Sequence, residues 1–137
     1  MKTFFDSSAF AKRYIEEKGS QRVDDICYQA TQVCLCVICV PEIISALNRR
    51  LREKSLSHQD YLTIKKHLSD DVRDAVIVNL TTEVIRTSTQ ILESSPLRAM
   101  DALHVACALV WNTELFVSSD KQQLSAAKKA GLKIQSV

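Results

Sequence analysis

Glycine and proline are scarce in this chain: Gly19, Gly131, Pro41 and Pro96 are the only ones among 137 residues. A sandwich or barrel of many short strands needs a turn signal roughly every ten positions, so that class is excluded and longer elements with few breaks are favoured. Long hydrophobic runs are also missing. The opening MKTFFDSSAF meets an acid at its sixth position, too early for a secretory signal or a spanning helix, so a cytoplasmic protein without membrane contact is expected. Neither charge dominates: 18 basic against 16 acidic side chains leave +2, too little to announce a nucleic-acid partner by composition. Cysteines do not pair into a framework. They number five, and Cys34, Cys36 and Cys39 lie inside the apolar run VCLCVICV with no matching histidine or cysteine pair, which speaks against zinc and for buried thiols acting as small apolar groups.

What is present is an ordinary soluble composition, 46% hydrophobic and 25% charged, in a length that suits one domain over residues 1–137. Apolar periodicity predicts strands at Lys2 to Phe5, Gln32 to Cys39, Ala75 to Leu80, Leu115 to Val117 and Lys133 to Val137. Helical spacing fills the intervals: SSAFAKRYIEEK, Ser20 to Ala30, a helix opened by Pro41, another capped by Ser57, one begun at Thr81, one after the Pro96 break, and one running to Lys129. The Pro41 and Ser57 helices follow each other directly and form a helical hairpin. Strand and helix otherwise alternate, which predicts an α/β fold with a parallel sheet covered on both faces, because parallel strands need crossovers.

Four acids fall at informative places. Asp6 and Asp120 each follow an apolar strand, and the carboxyl ends of strands in an open α/β sheet form the ligand crevice. Glu42 and Asp101 sit in the first turns of predicted helices, where the chain has just left that rim. Each acid taken alone is equally a helix cap or an answer to the helix dipole. Together, several carboxylates on one rim repel one another unless a cation intervenes, and an all-oxygen donor set suits Mg²⁺ or Mn²⁺. The histidines are not needed as ligands: His58 and His67 are expected on a solvent-facing helix, and His104 packing at a helix surface.

The segments FFDSSAFAKRY, PEIISALNRR, RAMDALHVACAL and LFVSSDKQQLSAAKKAGLKI, in this order and at these separations, resemble the PIN-domain ribonucleases, in particular the VapC-type toxins of type II toxin–antitoxin pairs. The resemblance covers nearly the whole chain. It implies a three-layer α/β/α fold with a mainly parallel, roughly five-stranded sheet, frequent homodimers, and inhibition by a small antitoxin. It matches Asp6, Glu42, Asp101 and Asp120 to the family's acids, Ser8 to the hydroxyl of its opening motif, and Ser118 to a hydroxyl near the last acid. The departures are the cysteines before Glu42 and the proline directly preceding it.

The expected chemistry is metal-assisted hydrolysis of an RNA phosphodiester: Mg²⁺ or Mn²⁺ held by Asp6, Asp101 and Asp120, with Glu42 direct or through water, and Ser8 and Ser118 orienting carboxylates. An acidic cleft needs basic side chains around it to hold RNA, and Lys12, Arg13, Arg49, Arg50 and Lys121 are the candidates. Two other classes share these features. One is a non-catalytic binding module whose acids only cap helices or meet a partner; the other is a receiver-like phosphoacceptor, which wants an aspartate after a middle strand where Asn79 and Leu80 stand.

Overall fold

The computed structural model describes residues 1–137. In chain order the elements are β1 (Lys2–Phe5), α1 (Ser7–Phe10, continued by a 3-10 turn over Ala11–Arg13), α2 (Ser20–Gln29), β2 (Gln32–Cys36), α3 (Cys39–Arg52), α4 (His58–Arg73), β3 (Val76–Val78), α5 (Thr82–Ser94), α6 (Ala99–Val110), β4 (Leu115–Ser118), α7 (Lys121–Lys129) and β5 (Lys133–Ser136). The five strands form one all-parallel sheet in the order β3-β2-β1-β4-β5.

Strand alternation divides the core in two. Phe4, Cys34, Cys36 and Phe116 face α5, α6 and α7, whereas Phe5, Leu35 and Val117 face α1 to α4, because successive side chains of a strand point to opposite faces. Each layer of helices seals one side, giving three layers. Phe4 and Phe116 are register partners on β1 and β4, and their rings stack at 5.7 Å. No helix is long and apolar enough to cross a membrane. The hairpin of α3 and α4 forms as expected: Ser57 caps α4 by accepting from the Asp60 amide, and Asn48 donates to the Tyr61 hydroxyl at 3.1 Å. Cys34 and Cys36 share a strand face as read, and all five cysteines are free thiols.

The sheet positions the site. From β1 the chain builds outward through β2 to β3, then returns across to β4 and β5, so the direction of winding reverses between β1 and β4. At such a switch point the loops leaving neighbouring strands part and leave a crevice. Asp6 leaves β1 there, and Ser118, Ser119 and Asp120 leave β4.

Two elements differ from the periodicity. The second strand stops at Cys36 because the Val37 amide bonds to the Val78 carbonyl and the chain turns; Cys39 is already the first residue of α3. Pro41 is then the third helical residue, still among the first four positions whose amides have no partner inside the helix. The first helix is short: after Arg13 the chain bends toward Gly19, whose φ of 96° favours glycine. A Cβ there would meet the Val137 backbone at 2.9 Å.

Candidate active site

Asp6 is 4% exposed and caps α1, accepting the Ala9 amide at 2.9 Å on Oδ1. The Ser8 hydroxyl lies 2.9 and 2.7 Å from its two oxygens, and the Ser118 hydroxyl reaches Oδ2 at 2.9 Å. Ser119 in turn donates to Ser8. Burial pushes the Asp6 carboxyl above its ordinary range, while the Ala9, Ser8 and Ser118 hydrogen bonds and the His104 charge pull against it without cancelling it. Ser8 and Ser118 thus both address the same carboxylate, as the opening motif suggests. The capping reading of Asp6 holds, its Oδ1 accepting the Ala9 amide.

Glu42 lies in the first turn of α3. Its Oε1 accepts from Ser7 at 2.7 Å and contacts His104 Nε2 at 2.6 Å. His104 is 2% exposed and packs beneath its helix: α6 lies over the sheet and buries Ala102, His104, Val105, Ala106, Cys107 and Ala108. A carboxylate accepts only, so Nε2 carries a proton. Burial drives Glu42 upward, but the hydrogen bonds from His104 and Ser7 and the His104 charge outweigh it and leave the carboxyl below its ordinary range. Burial likewise drives the imidazole downward, and the Glu42 bond, with the nearby Cys36, Glu42 and Asp6 charges, overrides it. Nδ1 is buried without a partner, which opposes the second proton and limits that rise.

Asp101, in the first turn of α6, is different. Its carboxylate takes part in none of the hydrogen bonds or ion pairs that hold the other acids; only its backbone oxygen is engaged, by Gln123 at 3.1 Å. Burial raises its carboxyl, and the charges of Asp120 and Glu42 raise it further against His104 and Arg98. Asp120 caps α7, its Oδ1 accepting the Gln122 and Gln123 amides at 2.9 and 3.0 Å. Thus Asp6, Asp101 and Asp120 lack any basic ion-pair partner, whereas Glu42 has one.

As a donor set these residues fit a hard divalent cation: oxygens only, with three uncompensated carboxylates on one rim. No three of the side chains are gathered closely enough to enclose a cation in this arrangement, and Glu42 is turned toward His104. Asp101 is the member left free to turn.

The basic candidates separate. Lys12 is buried, with Nζ donating to the Lys18 carbonyl at 2.7 Å and the Val137 carbonyl at 3.3 Å and pairing with Glu17, so it ties down the chain end and is removed from RNA contact. Arg13 is removed as well: it pairs with Asp24 and Asp71 in an acidic groove of about 1060 Å³ that reaches Gln32 and Val76, the starts of β2 and β3, at the opposite end of the sheet. Arg49 is exposed and paired with Glu53 along its own helix. Arg50 forms no ion pair and lines a hollow of about 230 Å³ together with Ser8, Ser119, Ile43 and Leu47, beside the acids. Lys121 is exposed and directly follows Asp120.

Ser7, His104 and Gln123 were not singled out by the sequence reading. Ser7 adjoins the motif serine. His104 stands three residues after Asp101, a spacing that puts both on one side of a helix. Gln123 carried no signal.

A parallel α/β sheet with acids at its switch point belongs to the class of open α/β domains that bind ligands in that crevice. The particular family follows from comparison: the PIN-domain family model matches residues 3–129, and the chain belongs to that family, which removes the receiver-like alternative. No curated protein sequence matches the chain. Among solved structures, it is similar to VapBC2 from Rickettsia felis bound to a DNA fragment from its promoter, with a TM-score of 0.72 at 8% identity, covering 100% of this chain and 99% of that one. It is also similar to VapC20 from Mycobacterium tuberculosis, described as a Sarcin-Ricin loop cleaving toxin, with a TM-score of 0.69 at 14% identity and 96% of each chain covered. FitAcB from Neisseria gonorrhoeae gives 0.71 at 14% identity, over 96% of this chain and 95% of that one. At these identities the likeness establishes the fold.

Proposed function

We propose that this PIN-domain protein is a metal-dependent ribonuclease acting as the toxin of a toxin–antitoxin pair. The observation that carries the reading is the trio of carboxylates without a basic partner, Asp6, Asp101 and Asp120, at the switch point of a PIN-family sheet. These residues would hold Mg²⁺ or Mn²⁺, with Glu42 reaching it through water. When bound, such a cation makes water a stronger acid and balances the charge that develops on the phosphate and the leaving oxygen.

The remaining roles belong to the chain. Ser8 and Ser118 fix both oxygens of Asp6, so its carboxylate presents one orientation. His104 and Ser7 hold Oε1 of Glu42 and leave Oε2 for solvent-side work. Arg50 and Lys121 would contact phosphates flanking the cut. Partners on this reading are an RNA substrate, a small antitoxin and a second copy of the chain in a homodimer; the VapBC2 and VapC20 descriptions quoted above support the first two by analogy.

Purified protein is expected to cleave RNA, to stop with a chelator and to resume with Mn²⁺. Asp6→Asn and Asp101→Asn should each abolish cleavage with circular dichroism unchanged. Cleavage that survives both substitutions overturns the site; cleavage indifferent to chelation overturns the metal.

A further inference from the structure

We propose that Gln123 is a positioning residue that holds Asp101, Asp120 and Asp6 in one frame from inside α7. The proposal rests on the metal-dependent reading above. Gln123 is fully buried, on a helix whose other inward residues are Leu124, Ala126 and Ala127. An apolar side chain would pack there without desolvating an amide or freezing a flexible chain, so the amide needs a reason.

Its contacts supply one. The side-chain Nε2 donates to the Asp101 carbonyl at 3.1 Å, and Oε1 lies 3.0 Å from the Ser118 hydroxyl. That hydroxyl is 2.9 Å from Asp6 Oδ2 and accepts the Asp120 amide at 2.9 Å. The backbone amide of Gln123 itself donates to Asp120 Oδ1 at 3.0 Å. One residue therefore touches Asp101 and Asp120 directly and Asp6 through a single hydroxyl.

Neither side-chain bond rescues a group that would otherwise be orphaned. The Asp101 carbonyl lies inside α6, where the amide four residues on already serves it, and the Ser118 hydroxyl already has Asp6. What the bonds add is position. The Asp101 carboxylate is held by no hydrogen bond, so its place depends on its backbone, and Gln123 is the side chain bonded to that backbone. Small errors in such support are felt in metal affinity, since outer-shell partners typically matter about 10-fold to 100-fold.

The test measures Mn²⁺ binding by calorimetry on the full chain, beside its thermal midpoint. Gln123→Met keeps length and removes both side-chain bonds while leaving the Asp120 cap, which uses the backbone. Mn²⁺ affinity should fall by about tenfold or more, with little change in melting. Gln123→Asn keeps a neutral amide but is one methylene too short to reach both Asp101 and Ser118, and should weaken Mn²⁺ similarly; it carries the test should the Met variant not fold. Melting lowered with Mn²⁺ affinity within about threefold of the parent makes Gln123 a packing residue and overturns the proposal. A parent protein that binds no Mn²⁺ overturns the metal reading as well, whereas a parent that binds, an Asp101→Asn that does not, and unaffected Gln123 variants overturn the role of Gln123 alone.

Discussion

Replacing His104 with phenylalanine tests the electrostatics of the rim. The imidazole is 2% exposed and the Glu42 side chain 31%, joined at 2.6 Å. Breaking a fully buried ion pair costs roughly 3–5 kcal/mol because a charge is stranded. Here the stranded charge is Glu42, which water reaches and Ser7 still supports, so the loss should fall to the value of one charge-assisted hydrogen bond, about 2 kcal/mol. The edge contact of His104 with Phe4, 6.2 Å between centroids, is one a phenylalanine can also make. Guanidinium denaturation should show this loss, and melting should drop by roughly 6–8 °C for a domain of this size. The difference should also depend on pH. His104 is raised above its ordinary 6.5 by Glu42, so its contribution is complete below that value and fades as pH climbs through the raised one. Glu42 is lowered, so its share is complete above its ordinary 4.5 and fades as pH falls through the lowered value. The gap between parent and variant should therefore be widest between those ordinary values and close on either side. A gap that stays flat from pH 5 to beyond pH 9, on the order of the imidazole's packing alone, would refute the ion pair.

Two further outcomes follow from the same geometry. Asp6 is raised by burial, so stability is lost as pH climbs from its ordinary 3.8 and the cost is complete above the raised value; in the presence of a chelator Asp6→Asn, which still caps α1, should be more stable than the parent at pH 7, with the advantage vanishing in acid. Denaturation at two pH values decides it, and a less stable variant at neutral pH would mean that the hydrogen bonds to the carboxylate outweigh its burial. Among the basic residues, Arg50→Ala in an Asp6→Asn background should weaken RNA binding and reduce the salt slope by about 1, while Arg13→Ala should leave both unchanged and lower stability through the lost Asp24 and Asp71 pairs. Equal salt slopes for the two variants would place RNA elsewhere.

Much of this was legible in the sequence because it depends on local pattern. Alternation of strand and helix specified a parallel sheet, and the acids after β1 and β4 were found by asking which residues leave a strand at its carboxyl end. The parts that were not legible depend on how elements face one another. α6 is apolar nearly all round, so no stripe tells which way His104 points; only its placement over the sheet, with Glu42 of α3 meeting His104 at the carboxyl rim, does. Lys12 is a candidate for phosphate as a basic side chain near the helix that follows Asp6, yet its ammonium is captured by carbonyls at Lys18 and Val137, the latter 125 residues distant. Gln123 reads as an exposed helix residue beside Gln122 until α7 is laid against α6.

The rim is electrostatically lopsided. Glu42 is lowered by its His104 and Ser7 hydrogen bonds against burial, while burial raises Asp6 and Asp101, and the Asp120 and Glu42 charges raise Asp101 further. A divalent cation gains most where negative charge is uncompensated, because there it relieves repulsion as well as forming bonds. On the metal-dependent reading proposed above, the Asp6, Asp101 and Asp120 side would be the favoured seat. Glu42, held through Oε1 by a short charge-assisted bond to His104, has only Oε2 left to offer and is anchored away from the other three, which favours contact through water. On that division of labour His104 keeps the fourth acid from competing with the other three for the same position, and Glu42→Gln should disturb cleavage more than it disturbs Mn²⁺ affinity. The reverse order, affinity lost first, would make Glu42 a direct ligand and the His104 bond one that yields on binding.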